Sequence, residues 1–248
     1  MENLRQGTLS ELARQGFKDL TKAFSDLEKL VSILGDAAYP STHYLSLGAN
    51  PDSALRFAVE IAETEPKRIK KILASEQAAT AFFKSIAISE GVQSILRRLP
   101  EFLDVYLQKK FHLSEDYITR EFNSAEDQDS LRRIYRKLLI SVIASDVSQN
   151  PIDSFEPVSE MLSQLAAAAL QRAFELACIE HEQDPGFPMA IIAMGKTGGS
   201  ELNYVSDVDV IFVASDEIDD NQLQIATKIA NRLMRIIDST SSEPALWE

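Results

Sequence analysis

The chain is 248 residues long, with a formal net charge of −13 and 45% hydrophobic residues, which allows one large folded domain or two small ones. Its acidity argues against a general nucleic-acid binder, because an acidic surface repels phosphates. No apolar run approaches the roughly 20 residues that span a bilayer, and the N-terminus lacks a secretory signal. The single cysteine, Cys178, lies in an apolar helical stretch, so we expect a buried thiol and a cytoplasmic protein without membrane association.

Most of residues 1–185 is predicted to be helical, because few glycines and prolines interrupt this part of the chain. Apolar residues three or four apart predict a helix over 10–34, followed by a loop over 37–51. We expect Asp52 to cap a helix over 53–64 and Pro66 to begin the next one. Further helical runs are predicted over 67–74, 76–88, 91–98, 101–110 and 114–121.

A longer helix is predicted over 127–147, ending before Pro151, and another over 159–182. The first places Leu131, Leu138 and Val142 on one side. Four basic residues are predicted to project from the other side: Arg132, Arg133, Arg136 and Lys137. Two interpretations stay open for them, namely contact with a phosphate or an acidic partner surface, and a plain solvated helix face.

After residue 186 the pattern changes to short apolar runs that predict buried strands over 189–194 and 208–214. An amphipathic helix is predicted over 221–238, with Asp219 or Asp220 as its N-cap. Residues Ala245-Leu246-Trp247 resemble the start of a third strand, with Trp247 as a core residue. The three histidines, His43, His112 and His181, show no metal-ligand spacing and are expected to have surface or packing roles.

Two aspartates at the start of the second strand carry the clearest chemical signal. Strand side chains alternate between faces, so Asp207 and Asp209 should point the same way while Val208 and Val210 face the core. Neighbouring carboxylates repel each other unless a cation neutralises them. Hard oxygen ligands at this spacing suit Mg²⁺ or Mn²⁺, which also coordinate substrate phosphates.

The turn between the two strands is rich in glycine. Gly195, Gly198 and Gly199 allow backbone N–H groups to approach a phosphate without obstruction from a Cβ atom. Although Gly195-Lys196-Thr197 resembles the end of a P-loop, that motif needs a glycine at position 190, where the sequence has Ala190. The sequence therefore predicts a different kind of phosphate site.

Residues 193–209 resemble the signature of the bifunctional glutamine synthetase adenylyltransferase/adenylyl-removing family, G-M-G-K-x-G-G-x-E-L-N-[FY]-x-S-D-[IV]-D. The departures are Ala193 for the first glycine and Thr197 where leucine is common. The stretch 131–147 also resembles the helix that precedes the catalytic core in that family. The Glu-Leu-Asn-Tyr at 201–204 is similar to the N-terminal, adenylyl-removing unit, so we expect an N-terminal fragment of that unit.

This resemblance implies an α+β fold, with a helical region over 1–150 and a DNA polymerase beta-like nucleotidyltransferase domain over 151–248 whose third strand is cut short. It implies deadenylylation of glutamine synthetase by phosphorolysis, in which phosphate attacks adenylyl-tyrosine and ADP leaves. Asp207 and Asp209 would hold the metal and act in catalysis. Residues implied to bind nucleotide or phosphate are Gly195, Lys196, Gly198, Gly199, Ser200 and Ser206.

The family also carries a third carboxylate, in a pattern like L-W-x-V-D. Here Leu246-Trp247-Glu248 matches only the beginning of that pattern, and Glu248 precedes the expected aspartate. We therefore expect these 248 residues alone to bind metal and nucleotide weakly, with little or no turnover. Implied partners are adenylylated glutamine synthetase, a PII-type signalling protein, ADP or ATP, and phosphate. Adenylylation with ATP and a non-catalytic docking module are the two alternative functions.

Overall fold

The computed structural model describes residues 2–108, 111, 113–239 and 241–247. The chain divides into two compact units. The first comprises Met1–Phe111 and Ile143–Asn150, and the second comprises His112–Val142 and Pro151–Glu248. His112 and Glu248, for which the sequence analysis made predictions, lie outside the described residues.

The first unit is helical throughout its described part. Its core is formed by large side chains such as Leu30, Phe57, Phe82 and Tyr106, which are almost fully buried. Its helices are α1 (Glu2–Arg14), α2 (Leu20–Leu34), α3 (Ser41–Leu45), α4 (Pro51–Thr64), α5 (Pro66–Leu73), α6 (Glu76–Ile88) and α7 (Glu90–Arg98), with 3-10 helices at Asp36–Ala38 and Pro100–Leu107.

The single helix predicted over 10–34 is two helices, α1 and α2. Gly16 separates them with a φ of 86°, a left-handed conformation that glycine adopts readily and that ends a helix. The predicted loop over 37–51 also contains the short helix α3. Apolar periodicity continues across the break, and for that reason the pattern did not reveal it.

The N-cap predicted at Asp52 is wrong. Asn50 caps α4 instead, accepting a hydrogen bond from the Ser53 N–H at 3.1 Å, and Pro51 occupies the first helical position. The Asp52 carboxylate accepts bonds from the N–H groups of Lys18 and Asp19, at 2.9 and 3.2 Å. It thereby ties the start of α2 to α4. The prediction that Pro66 begins α5 is confirmed.

The second unit combines helices with a small sheet, so the fold is α+β. It contains α8 (Glu115–Asn123), most of α9 (Gln128–Asp146), α10 (Pro151–Glu180), β1 (Met189–Ala193), α11 (Gly195–Gly198), β2 (Val210–Ala214) and α12 (Asp220–Asp238). Helix α10 begins earlier than the predicted residue 159, because Pro151 fits the first turn, where its missing N–H has no helical partner to lose.

The core of this unit lies between α10 and α12. Leu165 and Ala169 on α10, and Ile229 and Leu233 on α12, are completely buried. The predicted N-cap of α12 is confirmed at Asp219, whose carboxylate accepts the Gln222 N–H at 2.7 Å while the Gln222 side chain accepts the Asp219 N–H.

The two strands pair antiparallel, with Ala193 opposite Val210 and Met189 opposite Ala214. They were predicted to be buried strands, and only one face of each is covered. One face packs on the core through residues such as Ile191 and Phe212. The outer face exposes its side chains, including Ile192 (46% exposed) and Ile211 (48%). An apolar run shows that a strand is hydrophobic, but not whether a second layer covers it.

Two of the four basic residues predicted on this side of α9 are buried, whereas Arg133 and Lys137 are partly exposed. Arg132 is fully buried and Arg136 is 7% exposed. The Arg132 guanidinium donates to the carbonyls of Ile236, Ser239 and Glu243, at 2.8, 2.6 and 2.7 Å. It therefore binds the C-terminal end of α12, where unpaired helix carbonyls collect.

The segment Ala245–Trp247 is irregular, although the sequence resembled the start of a strand. Arg136 donates to the carbonyls of Pro244 and Ala245, at 2.5 and 3.0 Å, and the Leu246 N–H donates to the Ile237 carbonyl at the end of α12, at 2.9 Å. Trp247 packs edge-on against Tyr135 and donates to its hydroxyl at 3.1 Å, which confirms the predicted packing role of Trp247.

The helices of the described residues include no candidate for a membrane-spanning segment.

Candidate functional site

The paired aspartates lie immediately before β2. Asp207 and Asp209 are exposed, whereas Val208 and Val210 pack against the core, which confirms the predicted alternation. The strand itself begins later than predicted, at Val210. The Met194 N–H donates to the Asp209 carbonyl at 2.9 Å and extends the pairing of the strands by one step. Asp209 therefore has a fixed backbone at the end of the sheet.

The glycine-rich turn folds against the same aspartate. Gly195 has a φ of 54°, and a Cβ atom there would lie 3.4 Å from Oδ2 of Asp209. A Cβ atom at Gly198 would lie 2.5 Å from the carbonyl oxygen of Ala193, a distance that real Cβ atoms do not show. Glycine is thus required at 198 by close approach and favoured at 195 by conformation. The turn and the carboxylate converge.

The N–H groups of this turn differ in their availability. Those of Gly198, Gly199 and Ser200 donate to backbone carbonyls within the turn, at 3.0, 3.0 and 3.3 Å. The N–H groups of Gly195 and Lys196, at the start of α11, have no acceptor in the described part of the chain. The geometry therefore leaves free donors at the first residues of the turn, whereas sequence reasoning placed them at its end.

The loop that leads from the turn to the aspartates is anchored at one apolar residue. Leu202 is 2% exposed, and its N–H donates to the Ser163 hydroxyl on α10 at 3.3 Å. Ser163 in turn donates to the Ser159 carbonyl at 2.9 Å. Sequence reasoning missed Ser163 and Leu202 as supports of the site. A single leucine between polar residues was the available signal for Leu202, and nothing indicated Ser163.

A second local contact shapes the loop nearer to the aspartates. The Ser206 hydroxyl accepts the Asn203 N–H at 3.2 Å, and the Asn203 side-chain oxygen accepts the Val205 N–H at 3.0 Å. Ser206 is therefore partly occupied in holding the loop that ends at Asp207. Val205 projects at the loop tip, 90% exposed.

The electrostatics of the site are those of an open acidic pair. Within the described ranges, no ion pair joins Asp207 or Asp209 to a basic side chain, and Lys196 is exposed without an ionic partner. The same residues contain no group of three or more histidine, cysteine or acidic side chains placed to hold a metal. The donor set is therefore two carboxylates, which fits a hard divalent cation that takes its remaining ligands from water or phosphate.

Two other reactive-looking groups do not belong to the site. Cys178 is buried on α10, which confirms the expectation of a buried thiol, and burial raises the pKa of that thiol to about 11. Thr197 is 6% exposed, and its hydroxyl is buried without a hydrogen-bond partner among the described residues. The hydroxyl points into the protein, away from the open side of the turn.

Comparison with known proteins identifies relatives along the whole chain. A family model described as glutamate-ammonia ligase adenylyltransferase matches residues 79–248. Bifunctional glutamine synthetase adenylyltransferase/adenylyl-removing enzymes from Leifsonia xyli and Streptomyces coelicolor are each 33% identical over 98% of this chain. The corresponding enzyme from Mycolicibacterium smegmatis is 45% identical over 42% of the chain.

The chain spans about a quarter of the length of the first two relatives, 27% and 26% respectively. No solved structure matches it. The family model covers more than half of the chain, including the glycine turn, both aspartates and the α9 arginines. This chain belongs to the glutamate-ammonia ligase adenylyltransferase family.

Proposed function

We propose that residues 189–214 form the centre of a nucleotidyltransferase site that deadenylylates glutamine synthetase by phosphorolysis. The observation that carries the proposal is the convergence of the glycine turn on Asp209, with the Gly195 backbone directly beside that carboxylate. Such an arrangement brings a phosphate-binding turn and a cation-binding pair to one place. The order strand, turn, strand, helix supports the assignment to a DNA polymerase beta-like domain.

In this reaction, inorganic phosphate attacks the adenylyl phosphorus. The bond from phosphorus to the tyrosine oxygen breaks, a bond to the incoming phosphate forms, and ADP leaves while the phenolate takes up a proton. The Glu-Leu-Asn-Tyr at 201–204, which resembles the adenylyl-removing unit, supports this direction over ATP-dependent adenylylation. The relatives carry both activities in their name.

Asp207 and Asp209 would hold Mg²⁺ or Mn²⁺, which supplies charge neutralisation between the two reacting phosphates. The protein's own task is to position these phosphates. The N–H groups of Gly195 and Lys196, which have no acceptor among the described residues, are the proposed phosphate donors, and the Lys196 ammonium adds positive charge. Gly198, Gly199 and Ser200 shape the turn, and Ser206 fixes the loop before Asp207.

The outer face of the sheet continues from Asp209 and is apolar, with Ile192, Ile211 and Val213 each more than 40% exposed. We assign it the adenine side of the substrate, because an apolar surface beside charged ligands suits a nucleotide. The proposed partners are adenylylated glutamine synthetase, a PII-type protein, nucleotide and phosphate, and the proposed location is the cytoplasm.

The test measures phosphate-dependent release of ADP from adenylylated glutamine synthetase by the longest natural chain that carries these residues. Asp207→Asn and Asp209→Asn should each lower the rate by about 100-fold or more, because one metal ligand is lost. The matched control is Asp216→Asn, an exposed carboxylate just beyond β2, which should leave the rate unchanged. Wild-type rates in both aspartate variants would favour a docking module, and loss of only ATP-dependent adenylylation would reverse the proposed direction.

For residues 1–248 alone, we expect weak Mn²⁺ binding and little or no turnover, because they supply two of the three carboxylates implied by the resemblance. Calorimetric titration with Mn²⁺ should show binding that disappears in the double variant Asp207→Asn, Asp209→Asn. A robust deadenylylation rate from these residues would contradict the requirement for a third carboxylate.

A further inference from the structure

Helix α5 presents a basic face on an acidic chain. Its eight residues include four basic ones and no acidic one, whereas the whole chain carries 38 acidic and 25 basic residues. Lys67, Lys70 and Lys71 are exposed, and Ile69 and Ile72, on the opposite side of the helix, are buried. The three lysines, which we call the lysine face, are three and four positions apart, with about 5–6 Å between their Cβ atoms.

Carboxylates neutralise other basic side chains of this unit but not the lysine face. Lys29 pairs with Glu63 at 2.7 Å. Arg68, on the flank of α5, pairs with Glu65 and Asp104 at 2.7 and 3.1 Å. The side chains of the lysine face make no ion pair or hydrogen bond with any described residue. Because like charges on one helix face repel each other, an anionic partner would relieve an unfavourable arrangement.

The position of Lys67 is unfavourable for the helix itself. It lies in the first turn of α5, directly after Pro66, and this turn contains no acidic residue. The N-terminal end of a helix carries a partial positive charge, so a lysine there is repelled, whereas Lys70 and Lys71 in the last turn are stabilising. The stability of α5 therefore accounts for two of these lysines and not for the third.

The chemistry around the lysine face favours an acidic polypeptide as its partner. Ile69 and Ile72 are buried, so they are not available for insertion into a membrane. Helix α5 has no aromatic residue on which a base could stack, and the acidity of the chain repels a long polyanion. Carboxylates three and four positions apart on a second helix have the same spacing as the lysines.

We propose that the lysine face of α5 is a docking surface for an acidic helical segment of a partner protein, whose carboxylates lie three and four positions apart. Exposed ion pairs contribute little affinity one by one, so the main effects of this surface are on the orientation of the partner and on its association rate. The inference is independent of the proposed deadenylylation, because binding rather than turnover tests it.

The experiment is an NMR titration of the 248-residue chain with a helical alanine-rich peptide. The peptide carries glutamates three and four positions apart, and the control peptide has glutamines in their place. The glutamate peptide should shift the backbone amides of α5 and bind at least about tenfold more tightly than the control at low salt. Adding about 0.3 M NaCl should weaken this binding several-fold through screening. Equal affinity of the two peptides, or shifts spread over both units, would overturn the proposal.

Two double variants with the same change in net charge locate the contact. Lys67→Gln with Lys71→Gln should weaken binding of the glutamate peptide about tenfold. Lys228→Gln with Arg235→Gln removes two exposed basic residues of α12 and should change the affinity less than about twofold. Equal weakening in both would show that only net charge matters, and would refute the docking surface. Lys67→Gln alone should not lower the thermal unfolding midpoint, and a clear decrease would assign this lysine to the fold instead.

Other occupants of the lysine face are tested with separate probes. Hexathymidylate and phosphatidylserine vesicles should each bind more weakly than the glutamate peptide. Sedimentation of the chain should be the same for the wild type and for the α5 double variant. Tighter binding of either probe, or self-association that the α5 double variant abolishes, would identify a nucleic acid, a membrane or a second copy as the occupant and would overturn the proposal.

Discussion

Two polar regions of the second unit are built in opposite ways. Around Arg132, charged groups are buried and paired with backbone carbonyls at the end of α12. Around Asp209, charged groups are exposed, and no basic side chain of the described residues pairs with them. Both regions carry a formal charge and polar backbone, and they differ in what satisfies that charge.

We interpret the buried charge around Arg132 as structural, and the exposed charge around Asp209 as available for binding. A buried guanidinium retains its charge only if the protein replaces its lost hydration, and the carbonyls around Arg132 do this. Two exposed carboxylates side by side leave their repulsion for an external cation to relieve. We therefore expect substitutions in the first region to change stability, and substitutions of the aspartates to change binding with little effect on folding.

The largest stability effect is expected for Arg132→Met. This change removes the guanidinium donor from the carbonyls of Ile236, Ser239 and Glu243, and should lower the free energy of unfolding by about 3 kcal/mol. Urea denaturation of the 248-residue chain measures it. The control is Arg235→Met, an exposed residue of α12, which should stay within about 0.5 kcal/mol of the wild type. Equal losses of stability in the two variants would contradict the structural role assigned to the buried Arg132 guanidinium.

A smaller loss is expected for Gly198→Ala in the glycine turn. The new Cβ atom would meet the Ala193 carbonyl oxygen at 2.5 Å, so the turn must shift, at a cost of about 2 kcal/mol. Gly199→Ala is the matched control, because its nearest contact is 3.4 Å, to the Gly195 carbonyl oxygen. Denaturant unfolding ranks the two variants, and a Gly199 effect as large as that of Gly198 would contradict the close approach.

Thr197→Val should stabilise the protein. The Thr197 hydroxyl is buried without a partner, and valine has nearly the same shape as threonine. Removing the hydroxyl should therefore raise the free energy of unfolding by about 1 kcal/mol. Thr197→Ser, which keeps the hydroxyl and loses the methyl group, should destabilise. A valine variant less stable than wild type would show that the hydroxyl has a partner in solution.

The smallest effect concerns acid stability. Hydrogen bonds from the Ser241 and Ser242 hydroxyls lower the pKa of Asp129 below its ordinary value of 3.8. This contribution is complete above the unfolded-state pKa and is lost as the pH falls through the lower folded-state pKa. Asp129→Asn should therefore flatten the decline of unfolding free energy below about pH 4, by less than about 1 kcal/mol because the carboxylate is near the surface. The control variant Asp216→Asn should show the same decline of unfolding free energy below pH 4 as the wild type.

Much of the local structure was predictable from the sequence. Pro66 began a helix and Asp219 capped one, because both signals act within a single helical turn. The alternation of Asp207, Val208, Asp209 and Val210 followed from strand geometry. The assignment of the N-cap to Asp52 failed because Asn50 competed for the same role two residues earlier. The phosphate-binding assignments for the turn stay predictions.

Short-range sequence pattern was enough to predict the α+β class, the position of the glycine turn and the family. Where charge is buried depends on the packing of elements that are distant in the sequence. Arg132 and Arg136 have the spacing of a solvated helix face, yet they are buried because the end of α12 and residues 243–245 lie against them. Ile192 and Ile211 have the character of buried strand residues, yet no described residue covers their face. Periodicity records which residues share a face, whereas burial depends on what packs against it.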